Sequence, residues 1–240
     1  MSYAALTRAD PNPLKRWLQR RRLRDALGAI RAPTPAVVVD YGGGDGELLR
    51  LAAQIWPDAR LICFEPVASL AEEARINLAG LGAAEVVCAE ADLPAGVADV
   101  VFCTEVFEHL PAPETDAALA EIHRVLTPGG RLVVGVPMEL WGPALAKGLF
   151  RMARRPGSFD GRVRHILAAA GGQAPAPRPE VEISPGRAYF PHHLGFDHRR
   201  LLTAMRGRFD VERVWGSPAA AAPPWLNSEV YVLARKREAQ

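Results

Sequence analysis

At 240 residues the chain is long enough for one large α/β domain with a well-buried core, or for a domain of ordinary size carrying elaborations. About half of the residues are apolar (49%), 23% are charged and the formal net charge is +2, which describes an ordinary globular protein and gives no global reason to expect a nucleic-acid partner. No apolar run approaches the roughly 18 residues that a bilayer crossing needs, which excludes a membrane-spanning helix.

The amino terminus, M-S-Y-A-A-L-T-R-A-D-P-N-P, lacks the charged start, long apolar middle and cleavage site of a signal peptide, so the expected location is the cytoplasm. Cys63, Cys88 and Cys103 each fall in a short apolar run (L-I-C-F, V-V-C-A, V-V-F-C) that reads as a buried strand. An odd number of thiols in such positions argues for a reducing compartment and against a disulfide framework or a zinc site.

Residues 13 to 31 place Leu14, Trp17, Leu18, Leu23, Leu27 and Ile30 at near-helical spacing, with Lys15, Arg16, Arg20, Arg21, Arg22 and Arg24 between them. This predicts an amphipathic helix with a strongly basic face, and residues 1–32 are read as an amino-terminal element. Alternation then sets in: strand 36–41, helix 46–56, strand 60–65, helix 68–79, strands 85–89 and 98–103, helix 114–126, strand 131–136. Strands alternating with helices of this length imply right-handed crossovers and a parallel sheet covered on both faces. Pro57 and Pro66 punctuate the early units, and T-P-G-G at 127–130 ends a helix and turns the chain into a strand.

After Pro137 the pattern loosens. M-E-L-W-G-P-A-L-A-K-G-L-F-R-M-A-R-R reads as a helix, and G-G-Q-A-P-A-P-R-P-E as a mobile loop. Order returns where Asp197 can cap a helix, followed by β-like runs at 208–215 and 228–235. Residues 33–240 are thus one domain with an insertion at about 138–195.

The stretch V-V-V-D-Y-G-G-G-D-G-E-L-L, from Val37 to Leu49, carries the chemistry. A strand ends, glycines permit positive φ and close approach of a ligand, and the next helix offers free N–H groups. Gly42, Gly44 and Gly46 are spaced G-x-G-x-G, not G-x-G-x-x-G, and no G-K-S or G-K-T follows, so neither a dinucleotide fingerprint nor a P-loop is present. Asp40 and Asp45 would repel a pyrophosphate and suit a ligand with ammonium and sulfonium charges.

With these residues in view, D-Y-G-G-G-D-G resembles the D-x-G-x-G-x-G loop of the class I S-adenosylmethionine-dependent methyltransferases. D-V-V-F-C-T-E-V-F-E-H-L-P (Asp99 to Pro111) and I-H-R-V-L-T-P-G-G-R-L-V-V-G-V-P (Ile122 to Pro137) resemble that family's fourth-strand segment and the helix, turn and strand that follow. The resemblance is strong over about residues 36 to 137. It implies a Rossmann-like α/β fold, a mostly parallel seven-stranded sheet with an antiparallel last strand and helices on both faces. It also implies S-adenosylmethionine as cofactor, with Asp40, Gly42, Gly44 and Gly46 seating its aminocarboxypropyl end and Glu65 its ribose hydroxyls. The family's adenine-contacting acid would fall at Ala89 in C-A-E-A-D-L-P, so Glu90 or Asp92, with Leu93 beside them, must substitute.

Glu105 is expected to face the methyl group or the acceptor, and His109 and His193 are candidate bases. A helix start that favours acids is the alternative explanation for Glu105 and Glu108. E-x-x-E-H is also similar to the metal-binding segment of some quinone and small-RNA methyltransferases, so Glu105, Glu108 and His109, completed by His192 or His193, could hold magnesium or manganese in a metal-assisted RNA-end enzyme. The expected reaction is methyl transfer to an O, N or C nucleophile of a small-molecule, saccharide or lipid-linked acceptor, with a nicotinamide-dependent oxidoreductase as the competing reading.

Lys147, Arg151, Arg154, Arg155, Arg162 and Arg164 lie in the insertion, opposed locally by Asp160 alone. Mixed with L-W-G-P-A-L-A-K-G-L-F-R-M, they suggest an acceptor wall, and peripheral contact with an anionic inner-membrane surface, unless they are merely a solvated face.

Overall fold

The computed structural model describes residues 13–184 and 186–237, with the side chains of 13–16 and 184 excepted. Leu14, Lys15, Arg16 and the amino-terminal segment before Pro13 therefore lie, wholly or in their side chains, outside the described residues.

The chain runs α1 (Pro13–Leu27), β1 (Val37–Tyr41), α2 (Glu47–Ile55), β2 (Arg60–Phe64), α3 (Ala68–Leu78), β3 (Ala84–Val87), β4 (Ala98–Thr104), α4 (Ala112–Val125) and β5 (Leu126–Pro137). It continues through α5 (Trp141–Arg154), α6 (Val163–Ala170), a hairpin of β6 (Val181–Ser184) and β7 (Arg187–Tyr189), α7 (His198–Arg206), β8 (Phe209–Ser217) and β9 (Glu229–Lys236). Seven strands form one sheet in the order β3-β2-β1-β4-β5-β9-β8. β1 to β5 pair in parallel, and β9 is antiparallel to both of its neighbours, β5 and β8.

The central strands are buried on both faces, so V-V-V and D-V-V-F-C-T read as continuous apolar runs instead of alternating ones. The pleat nevertheless sorts them. Val38, Leu61, Val100, Phe102 and Val133 pack with Leu23, Leu27, Leu48 and Leu49 of α1 and α2. Val39, Ile62, Val101 and Val134 face Leu119, Ile122, Leu201 and Met205 of α4 and α7. The result is a three-layer sandwich whose parallel strands all end on one side.

Four expectations change. Cys88 is exposed, because edge strand β3 ends at Val87 and the thiol instead accepts a hydrogen bond from Arg75 Nη2 at 3.3 Å; Cys63 and Cys103 are buried as expected. Glu105, Glu108 and His109 do not start a helix: Phe107–His109 is a single 3₁₀ turn and α4 begins at Ala112, so a helix dipole does not account for these acids. Trp17 of α1 is half exposed, and Arg22, expected on the basic solvent face, turns inward. The insertion also contains the β6–β7 hairpin, which weak alternation over V-E-I-S and R-A-Y had hidden. Asp197 caps α7 as expected, its Oδ1 accepting the Arg199 N–H at 3.0 Å.

Candidate functional site

The glycine loop closes over the end of β1 because only glycine tolerates its geometry. Gly42, Gly44 and Gly46 have φ of 76°, 57° and 77°. At Gly42 a Cβ would lie 2.5 Å from Val106 Cγ2, whereas at Gly44 it would meet nothing within 4 Å. Gly44 thus presents bare backbone to open space, the condition for close approach of a ligand. The Gly42 and Gly43 N–H groups donate to the Phe64 carbonyl at 2.8 and 3.0 Å, tying the loop to the end of β2.

Glu65, directly after β2, is 5% exposed and braces the loop. Its Oε2 accepts the Gly44 N–H at 2.9 Å and its Oε1 the Val67 N–H at 2.8 Å. Burial raises its pKa and these two bonds pull it back. Each oxygen keeps a further lone pair, so the carboxylate can still receive two adjacent hydroxyls. Asp40 is 2% exposed beneath the loop, and burial, reinforced by Glu65 and Asp45, pushes its pKa up to about 8. A site so rich in acid suits a ligand that brings a cation.

Glu90 and Asp92 lie on a 3₁₀ turn after β3. Glu90 Oε1 accepts the Tyr41 hydroxyl at 2.6 Å, which draws this turn to the end of β1. Leu93 is 1% exposed and belongs to the core, so its side chain packs inward under the turn.

Beyond β4, Glu108, His109 and His193 meet, while Glu105 turns to Arg22. His109 Nδ1 donates to the Phe190 carbonyl at 2.8 Å; a carbonyl only accepts, so the imidazole proton sits on Nδ1 and Nε2 is left with its lone pair. That Nε2 lies 3.2 Å from His193 Nε2 and 3.9 Å from Glu108 Oε1. Tyr189 stacks on the His109 ring at 4.5 Å. Burial lowers the pKa of His109, and lowers that of His193 to about 3. Glu108 is fully buried and neither carboxylate oxygen has a hydrogen-bond partner. His192 points elsewhere, its Nδ1 3.5 Å from Asp160 Oδ1.

The insertion is anchored by an acid that sequence reasoning overlooked. Glu139, 1% exposed just beyond β5, receives Lys147 Nζ at 3.2 Å and Arg151 through two bonds of 2.7 and 2.9 Å. Burial works against its ionisation, yet Lys147 and Arg151 hold it down at about 2. These two bases are therefore not opposed by Asp160 alone, as expected. Arg178 was also missed: its Nη2 donates to the Glu108 and His192 carbonyls, clamping the loop before the hairpin against the 3₁₀ turn. A charge inside an apolar run, as in V-P-M-E-L-W, was the available signal for Glu139.

A methyltransferase-domain family model matches residues 39–134, from β1 to β5. Trans-aconitate 2-methyltransferase of Afipia carboxidovorans is 30% identical over 182 residues, covering 74% of this chain and 68% of that protein. The chain belongs to the class I S-adenosylmethionine-dependent methyltransferases. The trans-aconitate 2-methyltransferase of Azoarcus sp. strain BH72 is 32% identical over 164 residues, 66% of this chain and 58% of the relative. The chain thus spans a little over half the length of the first curated relatives it matches, 58% and 55%. Among solved structures, geranyl diphosphate methyltransferase in complex with GPP and sinefungin superposes with a TM-score of 0.58 at 18% identity, covering 93% of this chain and 81% of that one, a likeness of fold. No helix among the described residues is long and apolar enough to cross a membrane.

Proposed function

We propose that this methyltransferase transfers a methyl group from S-adenosylmethionine to an O, N or C nucleophile of a small-molecule acceptor. The interlock of Gly44 with Glu65 carries the reading: one carboxylate fixes the open glycine and keeps lone pairs for a ribose, while Asp40 and Asp45 favour a cationic head. Gly42, Gly44 and Gly46 hold the aminocarboxypropyl end, and Glu90, Asp92 and the Leu93 backbone border the adenine. When bound, the cofactor supplies a methyl group already activated on a sulfonium.

What the chain itself adds is placement and exclusion of water. Glu105 faces the acceptor, and the histidine pair, His109 and His193, orients the nucleophile. The helices α5 and α6 and the β6–β7 hairpin wall the crevice. Calorimetry with S-adenosylmethionine and with NAD tests the assignment: saturable binding of the former alone is expected, and binding of NAD alone would overturn it. A screen for S-adenosylhomocysteine release over acids, amines, saccharides and lipid-linked alcohols then names the acceptor; relatives called trans-aconitate 2-methyltransferases support starting with small molecules.

A second reading is favoured by one observation. Glu108, fully buried, has no hydrogen-bond partner for either oxygen, and ligand atoms of Glu108, His109 and His193 lie within 4.8 Å of one another. The donor set fits a divalent cation, since the Nδ1 bond of His109 to a carbonyl is how a ligating imidazole is oriented. Two imidazoles and one carboxylate suit manganese, iron or zinc better than magnesium. Glu105, engaged by Arg22, stands outside this set. Titration of chelator-treated protein with Mn²⁺ is expected to show one site per chain that His193→Ala removes; equal turnover with and without chelator overturns a catalytic ion.

The insertion also exposes Leu145, Leu149 and Phe150 of α5 and Val163 and Leu167 of α6 beside Arg154, Arg162 and Arg164. This supports peripheral contact with an anionic bilayer and a lipid-linked acceptor. Co-sedimentation with phosphatidylglycerol vesicles at low salt, lost in Leu149→Glu/Phe150→Glu, is the expected result; no sedimentation of the wild type overturns it.

A further inference from the structure

At the acceptor end of the crevice, methyl transfer as set out above uses Glu105 but leaves two charged neighbours, Arg22 and Glu229, without a role. Glu105 directly follows β4, and Glu229 opens β9, where it pairs with Pro137 at the end of β5. The two carboxylates therefore stand on neighbouring parts of one sheet edge. Glu105 has φ of 58°, a left-handed conformation that strains a non-glycine residue, and its N–H donates to the Gly135 carbonyl at 2.8 Å.

Arg22 of α1 joins them. Its Nη1 lies 3.4 Å from Glu105 Oε2, and its Nη2 donates to Glu229 Oε1. The helix that carries this guanidinium is fixed independently of the pair. Tyr231 donates its hydroxyl proton to the Arg22 carbonyl at 2.9 Å, the Ser217 hydroxyl donates to Asp25, and Leu23, Ala26 and Leu27 are buried in the sheet's lower core. The backbone that carries Arg22 is thus held in place whether or not the ion pairs form. The two acids differ in access: the Glu229 side chain is 2% exposed and that of Glu105 34%.

We propose that Glu105, Glu229 and Arg22 form one charge-sharing unit that receives the proton of an O–H or N–H acceptor, with Glu105 facing the acceptor and Arg22 and Glu229 as positioning residues. This rests on the methyl-transfer reading. The proton passes to a Glu105 oxygen, the freed electron pair of the acceptor forms the bond to the methyl carbon, and sulfur keeps the pair of the bond that breaks. Charge then balances at both ends.

The surroundings of Glu229 support a group that changes charge near neutrality. Burial, reinforced by Glu105, pushes its pKa up to about 7, while Arg22 of α1 and Lys147 of α5 pull it down. Glu108 of the 3₁₀ turn couples to it electrostatically, as does Tyr231 on the same strand. Burial lowers both imidazoles, which weakens them as proton acceptors.

Carbon-13 NMR of protein labelled at glutamate carboxyls tests the unit without any ligand. A resonance absent from Glu229→Gln is expected to titrate near neutrality. Removing the cation in Arg22→Met should raise its midpoint, and removing the like charge in Glu105→Gln should lower it, each by about one unit or more. Arg22→Lys should restore most of the wild-type value, which a purely structural role of Arg22 would not require. Should Arg22→Met fail to fold, Glu105→Gln and Arg22→Lys still decide. A Glu229 midpoint unmoved by either change overturns the unit. With an acceptor returned by the turnover screen, Glu105→Gln is expected to lower kcat about 100-fold or more with little change in KM, the range of a lost general base; unchanged kcat overturns the proton transfer. Wild-type protein that binds no S-adenosylmethionine removes the methyl-transfer reading instead, and leaves the titration result standing.

Discussion

The two halves of the crevice are built by different physics. The proposed cofactor half hangs on the loop between β1 and α2, where three glycines at positive φ do the shaping and Glu65, from the end of β2, braces them. The proposed acceptor half is assembled from α1, the turn after β4, the insertion and the start of β9, joined by ion pairs between separate elements, Arg22 with Glu229 across most of the chain and Arg151 of α5 with Glu139 just after β5. A backbone-built site fails locally when altered, whereas an ion-pair-built one fails by losing its walls.

Substitutions should separate these failures. Gly42→Ala adds a Cβ 2.5 Å from Val106 Cγ2 at a φ of 76°, so it strains the loop twice over and is expected to abolish measurable cofactor binding in calorimetry. Glu139→Gln should leave cofactor affinity close to wild type while costing about 3 kcal/mol of stability, because it strands Lys147 and Arg151 beside a neutral group. Its acid profile supplies a second check. Glu139 is depressed to about 2 from 4.5, so its contribution is present above 4.5 and is lost as pH falls towards about 2. The variant's thermal melts should lack that part of the acid slope; an identical slope would mean that the insertion is not anchored there.

Glu65→Ala is expected to weaken cofactor binding by roughly 10- to 100-fold, the loss of one or two hydrogen bonds to a charged group. Asp40→Asn gives the smallest change. The pKa of Asp40 is raised from 3.8 to about 8, so it destabilises the ligand-free fold increasingly as pH climbs through that window. The variant should therefore melt a few degrees higher than wild type at pH 8 while binding the cofactor less tightly. Wild-type binding should release protons near pH 7, since a cationic head favours the ionised carboxylate. Buffer-independent binding enthalpy would contradict that.

These contrasts also explain what the sequence reveals. The glycine spacing and Glu65 after an apolar run are local signals, because each is a strand end or a turn whose residue types follow from backbone geometry, whereas T-P-G-G, expected as a turn before the strand, lies inside β5, where the pairing with β4 shifts register. The parallel part of the sheet follows from the alternation of strands and helices, and its antiparallel last strand from the family resemblance. Arg22, Arg178 and Glu229 are illegible by comparison, since their partners come from other elements and nothing in a linear pattern says which group will meet which, and for Glu139 the apolar run marks the acid but not its partners. Arg22 did carry a faint sign: it sits four residues before buried Ala26, on the inward stripe of its helix. Cys88 misled for the opposite reason, because an apolar run at a sheet edge can end one residue early.

That early ending has a practical use. Cys63 and Cys103 are sealed in the core, which leaves Cys88 as the exposed thiol of the chain, two residues from Glu90 on the rim where adenine would lie. A maleimide fluorophore would attach there without mutagenesis, and its emission would report the arrival of a nucleoside in real time.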